Sequence, residues 1–278
     1  MRLIILEIIM WMFQSANTCR IALYRLIVTL LLFLILNTAI VSASHAAHPL
    51  ITEDTGTQGP KAHQIELNAD WATDAGNRTK TGGLTYTQGV VDGLDLLFNI
   101  PTTWGAPVGE KTGLNDLSIG AKWVLVEDGG FSLGVKPELV MPMGDENKSL
   151  GNGRPSYAGT VMAQLESGEF TWLFNIGASK NRFKLQADRD DKRTLIRRLS
   201  AAVLVQSSDR LTLALDVGQA DAEDRVERSK PRFALLGVIY SVNKNLDFDI
   251  GYKKGLNAAE TDRQWGLGVT HRFSTIKD

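Results

Sequence analysis

The chain has 278 residues, a formal net charge of −1 and a mean hydropathy of −0.07, and 44% of its residues are hydrophobic. Beyond about the first 40 residues, no apolar run reaches the roughly 20 residues that a membrane-spanning helix requires, so a helical membrane protein is excluded. The balanced charge, without basic residues interleaved with aromatic ones, gives no support to nucleic-acid binding.

A long apolar run lies near the start of the chain, LIVTLLLFLILNTAIVSASHAAHP at residues 26–49. It follows two arginines and ends in small residues, an order typical of a cleaved secretory signal peptide. Cleavage after Ala43 or after Ala46 satisfies the small-residue rule, and an uncleaved anchor helix is the alternative. We predict a signal peptide over residues 1–46.

A polar stretch without strong periodicity follows, HPLITEDTGTQGPKA at residues 48–62. It contains few apolar residues and several turn formers, a composition typical of chain outside regular secondary structure. We therefore separate residues 47–62 from the alternating sequence that begins directly afterwards.

Strict alternation of apolar and polar residues begins with HQIELNADW and continues to the end of the chain. In this first stretch Ile65, Leu67 and Trp71 share one face of a strand, and polar residues occupy the other. The pattern recurs in LDLLFNI, DLSIGAKWVL, FSLGVKPELVM, YAGTVMAQLE, FTWLFNIGAS, LSAAVLVQ, LTLALDVG, FALLGVIY, LDFDIGYK and WGLGVTHRF. With a weaker strand near GGLTYTQGV, the sequence predicts about twelve strands over residues 63–273.

The connections between these strands alternate in length. Short, turn-forming links lie at residues 91–93, 126–130, 167–169, 207–210 and 242–245. Longer polar stretches separate them: PTTWGAPVGEKTGLN, PMGDENKSLGNGRPS, KNRFKLQADRDDKR and QADAEDRVERSKP. A soluble sandwich with Greek-key crossings has no reason to sort its loops in this way. An outer-membrane barrel does, because its periplasmic turns are short and its outer loops are long.

Strand length favours the same architecture. Each apolar run covers roughly 8 to 11 residues, which a tilted strand needs to cross a bilayer. Trp104, Tyr252, Trp265 and Phe273 lie near strand ends, where aromatic rings meet a membrane interface; for any one of them a sandwich core is the alternative. We predict an all-β fold, a single transmembrane antiparallel up-and-down β-barrel of about 12 strands after a cleaved N-terminal signal peptide. Its place would be the outer membrane of a Gram-negative bacterium.

Several stretches resemble a known family. The opening HPLITEDTGTQG and the loop PELVMPMGDENKSLGNGRPSY, together with IELNADW and GLNDLSIGAKW, resemble the bacterial outer-membrane family named for the meta-pathway of phenol degradation. The resemblance covers nearly the whole chain after the signal peptide, although Met143 stands where threonine is expected. It implies an outer-membrane channel or transporter for passive uptake of small solutes, among them aromatic or other apolar compounds.

If the apolar faces meet lipid, the alternate residues of each strand face the lumen. The candidate lumen-lining residues are Glu66, Asp70, Lys122, Lys136, Glu138, Arg198, Asp216, Asp247, Asp249, Lys253 and Arg272. Because isolated charges in a confined lumen are costly, these charges either pair into a plug or line a narrow polar path.

The segment of residues 47–62 either remains a mobile periplasmic terminus or folds back into the lumen. In the second case Glu53 and Asp54 are candidate gate residues, since Lys122 and Lys136 offer their carboxylates partners of opposite charge.

Other functions have less support. His48, His63 and His271 have no G-x-S-x-G serine to act with, so we expect no enzyme, and an outer-membrane hydrolase is the least favoured hypothesis. Asp145 and Glu146 offer oxygen ligands but do not match the twelve-residue calcium loop, so we expect no metal and no cofactor. A pore-less structural or adhesion barrel is the main alternative, because charged outer loops can bind surfaces without conducting.

The expected partners are outer-membrane lipid, a small-molecule solute and the barrel assembly machinery. The last strand ends in GVTHRF, which resembles the aromatic-ended strand that this machinery recognises, and the tail STIKD follows at residues 274–278.

Overall fold

A computed structural model of the protein describes residues 48–106 and 111–274. The predicted signal peptide, residues 1–46, and residues 275–278 of the predicted tail lie outside the described residues. Within the two described ranges, no helix has both the length and the hydrophobicity needed to cross a membrane.

Antiparallel strands make up most of the described chain. They are β1 (Ala62–Asp74), β2 (Asn77–Val91), β3 (Leu94–Gly105), β4 (Gly113–Leu114), β5 (Leu117–Asp128), β6 (Phe131–Met141), β7 (Ser156–Ser167), β8 (Phe170–Lys180), β9 (Leu195–Ser208), β10 (Leu211–Ala220), β11 (Arg232–Asn243), β12 (Leu246–Gly255) and β13 (Arg263–Ser274). The helical parts are a 3-10 turn at Glu146–Lys148 and α1 (Gln186–Asp191). Since β4 has only two residues, the described chain has twelve long strands, which confirms the predicted number.

The strands pair in chain order and close into a barrel. β1 pairs with β2 along one edge and with β13 along the other, so that Trp71 lies opposite both Lys80 and Trp265. β2 pairs with β3, β3 pairs with β5, and each later strand pairs with the next, always antiparallel. Every long strand that the structure describes therefore has two neighbours, and the predicted closed up-and-down barrel is confirmed.

The two ends of the barrel differ in their connections. At one end, called here the turn end, five short turns join β2 to β3, β5 to β6, β7 to β8, β9 to β10 and β11 to β12. β1 begins and β13 ends there as well. Gly93 (φ 75°) and Gly168 (φ 59°) supply left-handed backbone within two of these turns. Most of the long connections lie at the opposite end, called here the loop end.

Two expectations about the loop end are wrong. β1 and β2 are joined there by a two-residue turn, Ala75 (φ 46°) and Gly76 (φ 83°), so not every connection at this end is long. β3 also continues to Gly105, five residues into the stretch predicted as a loop. Trp104 explains this extension, because its indole nitrogen donates to the Thr81 carbonyl at 2.9 Å and so holds the end of β3 against β2.

The outer face of the barrel is apolar. Trp123 (55% exposed), Phe174 (50%) and Ile176 (67%) all point away from the lumen. Near the loop end, the Tyr252 and Trp265 rings lie 4.6 Å apart between centroids. An apolar band with aromatic rings near a strand end is the outer surface of a transmembrane barrel.

The inner face combines one apolar cluster with many polar groups. The buried cluster consists of Leu173, Ala202, Leu204, Ala214 and Ile239, and Leu50 packs against it. The remaining inner positions are largely charged residues, hydroxyls, amides and glycines, which leave room for a chain segment inside the barrel.

Candidate functional site

The chain before β1 lies within the barrel. We call residues 48–61 the lumenal segment, because its side chains contact inner-face residues on strands around the whole circumference. Thr52 (0% exposed) and Thr55 (4% exposed) are buried although the segment has no helix or strand of its own. Of the two placements considered from the sequence, this is the lumenal one.

Hydrogen bonds fix the segment near the turn end. The Lys61 amide donates to the Gly89 carbonyl on β2 at 3.2 Å. The Gln58 backbone N–H donates to the Asp95 carboxylate on β3 at 2.9 Å. These bonds satisfy backbone donors that have no partner within regular secondary structure, so the segment enters the lumen along β2 and β3.

Two lysines hold the middle of the segment. Nζ of Lys122 on β5 lies 3.0 Å from Oδ1 of Asp54 and 3.9 Å from Oε2 of Glu53. Nζ of Lys136 on β6 forms a very short contact with Glu53 and lies 3.6 Å from Glu138. The residues proposed from the sequence as gate and as lumen lining are therefore in direct contact.

Glu53 is ionised in this setting. Burial alone would raise its pKa, but the charges of Lys136 and Lys122 outweigh burial and hold the pKa of Glu53 below its ordinary value. Asn175 adds two hydrogen bonds to the Glu53 backbone, of 2.6 and 3.1 Å, when its amide oxygen faces the Glu53 N–H. The cluster is thus stabilised by charge and by hydrogen bonds to the backbone.

A buried carboxylate on β10 binds the next part of the segment. Asp216 is fully buried and accepts hydrogen bonds from the Ile51 amide at 2.7 Å, the Thr52 amide at 2.8 Å and the Thr52 hydroxyl at 2.6 Å. Three donors on one carboxylate satisfy most of its acceptor capacity, so Asp216 fixes the segment without a cation.

His48 is the first residue of the segment. It contacts β12 and β1, close to where β1 and β13 close the barrel. Its Nδ1 donates to Asp249 on β12, and its Nε2 lies 3.9 Å from Asp70 on β1. Burial disfavours the charged ring, but the hydrogen bonds and charges of the two aspartates outweigh it and raise the pKa of His48 to about 9. At neutral pH His48 is therefore a cation held between two carboxylates.

Glycines make this close approach possible. A Cβ added to Gly251 on β12 would lie 2.6 Å from Cβ of Pro49, and one added to Gly237 on β11 would lie 2.6 Å from Cγ of Pro49. Since real atoms do not approach so closely, a side chain at either position would displace Pro49 from the wall.

Several predicted lumen residues pair with other residues of the barrel instead of with the segment. Arg272 donates to Asp247 at 2.7 Å, and Nζ of Lys253 lies 3.0 Å from Glu260. Arg198 donates to the Ser179 hydroxyl at 3.2 Å. Glu66 is buried on β1 in the same lumen. The predicted set thus divides into residues that hold the segment and residues that line the space around it.

A cavity of about 320 Å³ remains on the loop side of the segment. Ile51 and Glu53 contribute its segment side, and Arg198, Phe233 and Lys253 belong to its wall. Within the part of the chain that the structure describes, no group of three or more His, Cys, Asp or Glu side chains could hold a metal ion. The chemistry that these residues offer is binding of a solute by charge, hydrogen bonds and apolar contact.

Sequence reasoning missed several residues that hold the segment. Asp95 lies between Leu94 and Leu96 in a clearly alternating stretch, so its inward direction could have been predicted from the pattern alone. Ser132 and Gln164, which both contact Thr55, are uncharged and gave no comparable signal.

Comparison with known proteins agrees with the architecture and the predicted resemblance. The sequence matches the family model described as MetA-pathway of phenol degradation over residues 47–273. The chain belongs to this family. The resemblance inferred from the opening and from the loop after β6 is therefore confirmed. Curated protein sequences gave no match.

Solved structures share the fold of this family member. The COG4313 outer membrane channel from Pseudomonas putida F1 is 12% identical with a TM-score of 0.63, over 79% of this chain and 98% of that one. The NanC porin is 9% identical with a TM-score of 0.56, over 76% and 100%. The KdgM porin in complex with disordered oligogalacturonate is 10% identical with a TM-score of 0.55, over 76% and 99%. At these identities the similarity concerns the fold alone. The fold is that of outer-membrane channels and porins, and none of these three neighbours is described as an enzyme.

Proposed function

We propose that this member of the MetA-pathway family is an outer-membrane channel for passive uptake of small solutes, with aromatic or other apolar compounds as its substrate class. The observation that carries the proposal is the closed barrel with an apolar outer face and a charged inner face. Such a barrel offers a polar route across a bilayer and contains no energy source of its own. With the turn end in the periplasm, the cavity on the loop side of the lumenal segment faces the outside of the cell.

The lumenal segment is the proposed gate of this route. Its contacts with the wall are mostly ionic or hydrogen-bonded, among them those of His48 with Asp249, of Thr52 with Asp216, and of Glu53 and Asp54 with two lysines. Contacts of this kind can be broken and replaced by water without disturbing the barrel wall. We infer that the segment moves within the lumen while the strands stay in place.

The same segment supports a second candidate, a pore-less structural or adhesion barrel. A segment fixed to strands around the lumen fills space that a permanently open channel would leave free. The loops at the loop end also carry charged residues that contact one another, as between Lys184 and Glu146. Charged outer loops can bind surfaces without conducting.

Planar bilayer recordings distinguish the two candidates. The purified mature protein should give discrete current steps, and deletion of residues 48–60 should enlarge or prolong them. A folded barrel that never conducts, with or without the segment, would favour the pore-less candidate. Equal conductance of the full and shortened chains would exclude the segment as a gate while leaving the channel itself in place.

The membrane environment and the assembly route belong to the same proposal. Outer-membrane lipid would cover the apolar outer face, and the barrel assembly machinery would insert the chain through the strand that ends with Phe273. The charges of the lumen take part in binding and passage of solutes, and no enzymatic step is part of this function.

A further inference from the structure

Judged by the residues that the structure describes, the cavity on the loop side of the lumenal segment contains one cation without a carboxylate partner. The cations that line it are Lys136, Lys253 and Arg198. Lys136 contacts Glu53 and Glu138, and Lys253 contacts Glu260. Among the residues that the structure describes, Arg198 has no carboxylate oxygen within 4 Å, and its guanidinium donates only to the Ser179 hydroxyl.

Arg198 has small neighbours on the adjacent strands of the inner wall, whereas Ile196, the inward residue before it on β9, is large and buried. In the strand register it lies opposite Gly177 on β8 and opposite Ala220 on β10. The next inward position on its own strand is Ser200. Because these neighbours are short, the guanidinium faces open space in the cavity instead of packing against other side chains.

An aromatic surface completes the cavity. Phe233 on β11 is 7% exposed and lines the same space as Arg198. A Cβ on Gly218 would lie 2.5 Å from Cε1 of Phe233, so the ring lies directly against the backbone of β10. Ile51 of the lumenal segment adds an apolar side. The cavity volume of about 320 Å³ lies at the lower end of the range for small-molecule sites.

We propose that this cavity binds a small organic anion with an aromatic body, of the class of the aromatic carboxylates. Arg198 binds the carboxylate, and the aromatic body of the ligand contacts Phe233 and Ile51. The guanidinium suits this role because its planar donors match both oxygens of a carboxylate. This inference rests on the proposed function in one respect, since the occupant is taken to be a solute entering the channel.

Direct binding measurements test the proposal without requiring conduction. Benzoate and benzyl alcohol have nearly the same shape and differ in charge, so titration calorimetry of both on the detergent-folded mature protein isolates the anion contact. We expect wild-type protein to bind benzoate at least about tenfold more tightly than benzyl alcohol, because a charge-assisted pair is lost with the alcohol. Equal binding of the two ligands would overturn the proposal.

Variants at two neighbouring positions assign the effect to one side chain. Arg198→Gln should bind benzoate and benzyl alcohol equally tightly, whereas Arg198→Lys should retain part of the preference for benzoate. Arg197→Gln is the matched control, since Arg197 is the adjacent residue, points to the outer face and is 74% exposed. Resistance of the folded barrel to SDS before heating establishes that each variant has folded. An Arg198→Gln protein with an unchanged preference for benzoate would contradict the assignment.

The same measurements separate this inference from the proposed function. Arg198-dependent benzoate binding by a barrel that never conducts would support the site and count against the channel. Discrete conductance together with equal binding of benzoate and benzyl alcohol would support the channel and remove the anion site.

Discussion

Lys122 on β5 and Asp54 of the lumenal segment form a buried ion pair, with 3.0 Å between Nζ and Oδ1. We predict that Lys122→Gln loosens the segment, because Asp54 then keeps a buried charge without its cation. Breaking a buried pair costs roughly 3–5 kcal/mol, so the ratio of open to closed states in single-channel recordings should rise about a hundredfold or more. Lys244→Gln, in an exposed turn, is the control and should leave the recordings unchanged. An unaltered open fraction in Lys122→Gln would show that this pair does not hold the gate.

The contact of His48 predicts a pH dependence. The pKa of His48 is raised from 6.5 to about 9, so the protonated ring stabilises the docked segment fully below about pH 6.5, and this contribution is lost as the pH rises through about 9. The charged groups that face the ring are Asp249 on β12 and Asp70 and Glu66 on β1. We expect the open fraction to increase between these pH values in wild-type protein.

His48→Gln is the variant that isolates this effect. Without a titrating ring, its open fraction should be high already at pH 6.5 and nearly constant up to pH 9. Parallel pH profiles of the variant and the wild-type protein would assign the dependence to another group.

The close approach of Pro49 to the wall predicts a steric effect. Gly251→Ala places a Cβ where Pro49 now lies and should displace the start of the lumenal segment. Gly159→Ala is the matched control, because a Cβ there meets no atom within 4 Å. A maleimide-reactive cysteine placed at Thr57 should be labelled faster in Gly251→Ala than in Gly159→Ala. Equal labelling rates would mean that the segment tolerates the added methyl group.

The apolar outer face predicts a cost for charge at mid-strand. Ile176 is 67% exposed near the centre of β8, so Ile176→Lys should place an ammonium group among lipid chains. For outer-membrane barrels such a change costs roughly 2–4 kcal/mol at the bilayer midplane. Urea unfolding in lipid vesicles measures this loss. Val226→Lys, in a loop position that is 83% exposed, should unfold like the wild type. A similar stability for both variants would argue against lipid contact at Ile176.

Most of the barrel could be predicted from the sequence because its two faces meet different surroundings. Lipid requires apolar residues at every second position, and the alternation in FTWLFNIGAS follows directly from that requirement. β2 gave a weaker signal because its centre contains Gly82 and Gly83. A Cβ on Gly82 would lie 2.7 Å from the Asn68 carbonyl oxygen, so β1 leaves no room for a side chain there. Without an apolar side chain at this position, the alternating pattern of β2 is weak.

The site was predictable where charge was involved and not where hydrogen bonds alone were involved. Glu53 and Lys136 have opposite signs and lie on elements that meet, so their contact could be anticipated. The contacts of Thr55 with Ser132 and Gln164 depend on the path of a segment without periodicity, which no pattern in the sequence encodes. The role of the segment as a gate and of the charges as a solute path stays a prediction.

The position of the lumenal segment at the start of the chain has a consequence for the order of assembly. His48 contacts Asp249, which lies 201 residues further along the chain, so its binding site does not exist until the last strands have been incorporated. Contacts of such sequence separation form late, because the intervening chain must be ordered first. The start of the segment is therefore the first part of the described chain to be synthesised, and its contact with Asp249 is among the last to form. The pairing of His48 with Asp249 and Asp70 requires both β12 and β1 in place, so this contact belongs to the last stage of barrel closure.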